Sequence, residues 1–425
     1  MKPWRLAAVL SISLMILLGL VGVIAYRNRG DLSFLFMDDS ALKKPLPAKK
    51  PPPEPHAPLP QPVKVPAPPV SRTLSIENIR VLPYEGVNGG FLPVINGVSG
   101  LSNSLSSSAR LLGAGGLAFP SAEDRIEIVP VDSGRLSSPA PYEVVQGVNG
   151  APSRILVPVE QLALRHYPSE ELLASALAET IMTRRSRSFA EAPEFLRHGL
   201  ALYLSGFGDY YERRFILLTD REAPQMVLPL SDTSSYAWAD GFWAIRALRD
   251  QRGAESVRLL VNSLEGGESW KPALESACGT SFDAFQDAYR AFVLNYLSSV
   301  MANRPAFKKA VRPLRETNEK EAYAALLDFV RNHPSDLYAG EARYYTHYAE
   351  YRLGKAREAI DGFLDLLNNA PFTTASQGKA HYFLGRSYEL RKYGTLALIE
   401  YRLASLEDNG LLGKAVDKRL KELEK

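Results

Sequence analysis

The side chains able to bind a metal or move a proton are few and scattered. The six histidines are His56, His166, His198, His333, His347 and His381, and no two stand three or four residues apart. Two imidazoles on one helix face, the usual start of a zinc site, are therefore missing. His198 lies in Phe195-Leu196-Arg197-His198-Gly199-Leu200-Ala201-Leu202-Tyr203, and only His166 falls where it could approach it. The one cysteine, Cys278, stands between Ala277 and Gly279. Alone it allows neither an internal disulfide nor a cysteine-built zinc cluster, and it reads as a small core residue. Glu179 is a carboxylate within a helical stretch, where it would pair with a cation such as Arg197. Arg184, Arg185 and Arg187 form a basic run that suits a helix C-terminus. Tyr210 to Phe215, with Tyr236, Trp238, Phe242 and Trp243, reads mostly as core.

These residues must be positioned by helices that follow a small sheet. Alternating apolar and polar positions predict strands over 75–82, 125–131, 142–145 and 154–158, with Gln146-Gly147-Val148-Asn149-Gly150 as a turn. A weaker helical pattern covers 94–112. The spacing then predicts helices over 169–182, 192–205, 238–249, 255–264, 270–277 and 282–297. Pro193 falls in a first helical turn, where proline is tolerated. A sheet followed by a helical subdomain is an α+β layout.

In order and spacing, residues 120–297, about 40% of the chain, resemble the peptidase-MA-like domain, a gluzincin metallopeptidase fold. That family carries His-Glu-x-x-His on one helix and a third ligand on the next, within Trp-Leu-x-Glu-Gly-x-Ala-x-Tyr. Here Leu177-Ala178-Glu179-Thr180-Ile181-Met182 stands at the first motif, and Phe195 to Tyr203 at the second. Tyr236 to Phe242, Gly253-Ala254-Glu255, and Ala273-Leu274 through Phe282 resemble the family's later helices. The resemblance implies that Ala178, Met182 and His198 occupy the ligand positions and Glu179 that of the base. Alanine has no donor atom, and a thioether is too soft for catalytic zinc. His198 alone does not make a site. Without a metal to lower the pKa of its water, Glu179 has nothing to deprotonate. The expectation is no bound metal, no cofactor and no catalysis.

The tail is helical and repetitive from about Asn318. Setting Ala342 over Ala380 puts Tyr345 over Phe383, Ala359 over Ala397 and Phe363 over Tyr401, and Ala322 with Pro334 matches Ala359 with Pro371. This all-α tail resembles the tetratricopeptide repeat, with joints longer than that repeat's period of about 34 residues. Two and a half such units are close to the minimum for a stable stack, so the tail is expected to lean on the preceding domain. Lys414 to Lys425 suits a charged capping helix.

Ahead of all this, Leu6 to Tyr26 is uncharged and mostly apolar, long enough to span a hydrocarbon core of about 30 Å. Lys2 and Arg5 precede it, as in an uncleaved signal anchor. A short basic head keeps the N-terminus inside and sends the rest out. Arg27, Arg29, Lys43, Lys44, Lys49 and Lys50 pull the other way. The reading adopted is a single-pass protein of a bacterial inner membrane with its folded part in the periplasm. Pro45 to Pro69 is proline-rich, an extended spacer reaching roughly 80 Å, or a ligand for a proline-binding domain. The divisions are 1–30 anchor, 31–71 linker, 72–300 peptidase-MA-like domain and 301–425 repeats. A net charge of +3 over 425 residues argues against nucleic acid as a partner. The expected function is a non-catalytic scaffold in the cell envelope that binds a protein or peptide through the repeat tail or the degenerate cleft. A zinc peptidase with an atypical ligand set and a purely structural tether are the alternatives.

Overall fold

The computed structural model describes residues 75–423 except 77, 87, 115–124, 138–139, 149–150, 231–235, 370–371 and 408–410. The expected membrane helix and proline-rich spacer lie outside the described residues. Among the described residues no helix is long and apolar enough to cross a membrane.

Five short strands form one sheet: β1 (Ser75–Ile76), β2 (Ile79–Val81), β3 (Ile126–Val131), β4 (Glu143–Val145) and β5 (Ser153–Pro158), in the order β1-β2-β3-β5-β4. The inner strands β2, β3 and β5 run parallel, and the two outer strands pair antiparallel. Parallel neighbours need a crossover, which α1 (Leu92–Ala114) supplies between β2 and β3. The register follows the alternation of the sequence. Ile126, Ile128, Ile155 and Val157 are buried. On the other face Glu127 stands opposite Arg154 and pairs with it at 3.1 Å.

The helical part follows: α2 (Val159–Ala163), α3 (Ser169–Arg185), α4 (Arg187–Ala190), α5 (Glu194–Ser205), α6 (Gly208–Thr219), α7 (Ala223–Met226), α8 (Ala237–Arg252), α9 (Ala254–Glu265), α10 (Trp270–Cys278) and α11 (Phe282–Val300). Helix α3 is buried on every side from Leu172 to Met182, beyond the single apolar stripe its sequence shows. A helix enclosed in this way is the centre of a domain. Pro193 is the N-cap of α5, one position before its first turn. The helix ends at Gly206 with φ 74°, the left-handed cap that glycine adopts without steric cost. Helices α5 and α8 cross at backbone contact: a Cβ on Gly199 would lie 2.3 Å from the carbonyl oxygen of Gly241.

The tail comprises α12 (Arg304–Arg315), α13 (Glu319–Asn332), α14 (Ala339–Arg352), α15 (Ala356–Asn369), α16 (Gln377–Leu390), α17 (Gly394–Ala404) and α18 (Leu411–Leu423). The hairpins α14–α15 and α16–α17 correspond, and the residues aligned between them are all buried, Ala342 with Ala380, Ala359 with Ala397 and Phe363 with Tyr401. The architecture is thus α+β with a helical-repeat tail. Leu297, Met301 and Phe307 belong to one core, so the packing is continuous where the sequence places a domain boundary. A smaller cluster joins Val94 of α1, Val159 and Leu164 to Leu403 and Leu406 at the far end of the tail.

Candidate functional site

Glu179 is carried near the middle of α3, where its side chain is 7% exposed. A carboxylate taken out of water needs partners, and two reach it. Tyr142, just before β4, donates from its hydroxyl to Glu179 Oε2 at 3.2 Å, and the same hydroxyl lies 2.9 Å from Ser175 Oγ, one turn back on α3. His198 on α5 brings Nδ1 within 3.1 Å of Glu179 Oε2. The His198 ring stacks on Trp238 of α8, centroids 3.9 Å apart and planes 9° from parallel. Trp238 in turn meets Tyr142 edge-on at 4.9 Å. Tyr142, Glu179, His198 and Trp238 therefore close a ring of contacts, each touching the next.

Burial pushes the Glu179 carboxyl upward. The charge and hydrogen bond of His198, the nearby Arg197 and the Tyr142 hydroxyl outweigh it and hold the group below the ordinary carboxylate value. The Tyr142 phenol moves the other way, well above its usual value, first through burial and then through the Glu179 charge. The pattern is a carboxylate kept ionised by donors converging on one oxygen. Ser175 is fully enclosed, so its hydroxyl serves the ring and does not face a substrate.

The structure brings Glu179 and His198 into contact and sets Ala178 and Met182 beside them on α3, at 0% and 1% exposure. Arg197 affects Glu179 through charge, but the hydrogen-bonding partners are His198 and Tyr142. His166 lies among other groups. Its electrostatic neighbours are Arg214 and His381, and burial first, then those charges, keep its imidazole well below the ordinary value. Cys278 is buried, which pushes its thiol up to about 12. Arg184 donates to the Arg125 carbonyl at 3.1 Å, and Arg187 pairs with Glu191 at 2.6 Å. Tyr142 and Ser175 were not legible as site residues. Tyr142 reads as the start of a strand, and its distance from Glu179 in sequence conceals the hydrogen bond.

A zinc ion does not fit this donor set. Alanine and methionine occupy two of the positions that the metallopeptidase likeness would require, and the two groups with donor atoms are bonded to each other. Among the described residues, no three histidine, cysteine or acidic side chains are grouped so as to hold a metal. Compared with protein-family models and with curated proteins, the chain matches none.

Proposed function

We propose that this chain is a membrane-anchored, non-catalytic relative of the gluzincin metallopeptidases, carrying a tetratricopeptide-like tail and binding a protein or peptide in the cell envelope. The observation that carries the reading is the ring of Tyr142, Glu179, His198 and Trp238. It sits where the likeness places zinc chemistry, and it ties up the base and the remaining imidazole in mutual contact. A helical-repeat tail supports the binding half of the reading, since stacked helical hairpins present extended surfaces to partners. The N-terminal apolar run and the proline-rich spacer support the anchoring half.

The test is the metal content of the full chain, purified in detergent without chelator and without a histidine tag. A folded protein with no stoichiometric metal is expected. One zinc per chain, lost in His198→Ala, would overturn the reading and favour a peptidase with an unusual ligand set.

A further inference from the structure

A groove follows the seam between the tail and the rest of the molecule. One cavity of about 510 Å³ opens beside α1 and the turn from α2 to α3, and a second of about 570 Å³ lies between α6 and the end of α15. Arg165 and Phe372 line both, so the two cavities are halves of one cleft. Each half has the size of clefts that take small ligands or peptide side chains, about 300–1,000 Å³. Gly100 lines the first half, where an added Cβ would meet only Ser169 Oγ at 3.9 Å. In the second half Phe372 packs edge-on against Tyr210 at 5.8 Å and forms an aromatic wall.

The charges in this cleft are unevenly satisfied. Arg214, one residue from the cleft-lining Arg213, donates to Gln377 at 2.9 Å and approaches Glu407 at 3.8 Å. Arg246 holds Glu212 and Asp209. Arg165, exposed, and Arg213, half-buried, both line the cleft, and neither side chain has a hydrogen-bond or ion-pair partner among the described residues. The acidic Asp209 in the same half is already shared with Arg246 at 3.4 Å. Glu170, at the other end, lines only the first half and repels a carboxylate there. Arg165 also holds φ 52°, a left-handed conformation where a helix end ordinarily places glycine. The side chain thus stands at a position its backbone disfavours.

We infer that this cleft binds an acidic peptide segment, with a carboxylate held between Arg165 and Arg213 and apolar side chains placed in the two halves. Planar guanidinium groups match the geometry of a carboxylate, and two of them hold it in a fixed orientation. The exposed Asn368 offers an amide to the peptide backbone. The inference deepens the binding half of the proposed function and does not depend on the metallopeptidase likeness.

Titration calorimetry of the full chain in detergent tests it, with the peptide acetyl-Leu-Asp-Leu-Glu in free-acid and amide-capped forms and with its Asn/Gln counterpart. Both acidic forms are expected to bind if side-chain carboxylates are read, and the free acid alone if a chain terminus is read. Arg165→Gly suits the left-handed backbone, so it should leave the melting temperature unchanged or raised while weakening binding about tenfold. Arg213→Gln should weaken it similarly. Binding of the amide-capped Asn/Gln peptide as tight as that of the acidic peptides, wild-type affinity in both variants, or no binding at millimolar peptide would overturn the inference. Binding lost in His198→Gln but kept in Arg165→Gly and Arg213→Gln would also overturn it, placing the ligand in the degenerate site and leaving the scaffold reading intact. Stoichiometric zinc would overturn that scaffold reading without touching the cleft.

Discussion

Burial pushes two glutamates upward, and their differing partners leave the net shifts in opposite directions. Glu179 is held below the ordinary value, so its contribution to stability is present above that value and is lost as the pH falls through the lowered one. Glu212 accepts from the Trp243 indole at 2.7 Å and from the Tyr296 hydroxyl at 2.9 Å. Burial dominates there and raises the carboxyl to about 6, against the pull of Arg246. Its contribution is present below the unfolded value and is lost as the pH rises through about 6. Unfolding measured from pH 4 to 7 should therefore show Glu212→Gln gaining about 2 kcal/mol on the wild type across that range. Glu179→Gln should be less stable than the wild type at neutral pH, with the gap narrowing in acid. A gap that does not change with pH would show that the Glu179 carboxylate is not held ionised by its partners. Sequence made Glu179 and His198 visible because their types and local motifs are distinctive. It left Glu212 hidden, because nothing near Asp209 to Phe215 marks a glutamate as buried.

At the scale of elements, the crossing of α5 and α8 positions His198 over Trp238. Gly199 and Gly241 are close because a side chain on either would strike the other helix: a Cβ on Gly241 would lie 1.9 Å from the Phe195 carbonyl oxygen. Gly199→Ala should cost about 2 kcal/mol in chemical unfolding, as overpacked cores do, and separate the His198 and Trp238 rings. Tryptophan fluorescence reports that separation, and unchanged emission with unchanged stability would contradict the contact. Both glycines stand in recognisable local motifs, but their pairing spans the chain from α5 to α8 and cannot be read from either motif. The strands and most helices were legible because their apolar periods are regular. Helix α12 was not expected: Pro305 opens it and Pro313 sits inside it, and proline argues against a helix interior. Helix α6 was masked by its aromatic run, which reads equally well as core without a period. The matching positions of α14–α15 and α16–α17 were legible because small residues and aromatics recur at one spacing.

Across the whole molecule, the tail and the first part share a core, and Arg214 ties them. The guanidinium reaches from α6 to Gln377 on α16 and toward Glu407. Glu407 Oε2 is buried without a hydrogen-bond partner among the described residues. Arg214→Ala should destabilise by about 3 kcal/mol, because it leaves a buried carboxylate without its cation, and Arg214→Met with Glu407→Leu should recover most of that loss. Calorimetry of the full chain should give one transition for 75–423, because no break in packing separates the parts. Two resolved transitions would show that the tail melts alone. The seam was only partly legible. A short repeat stack implies support from a neighbour, but the sequence does not say which faces meet. The meeting of Val94 with Leu403 also sets a clock. These partners lie 309 positions apart (403 − 94). At roughly 5–20 residues per second of synthesis, the first half of that contact waits about 15–60 s for the second to be made. For that interval Val94, Val159 and Leu164 lack the two leucines that complete their cluster, and a chain truncated ahead of α17 leaves that side of α1 open.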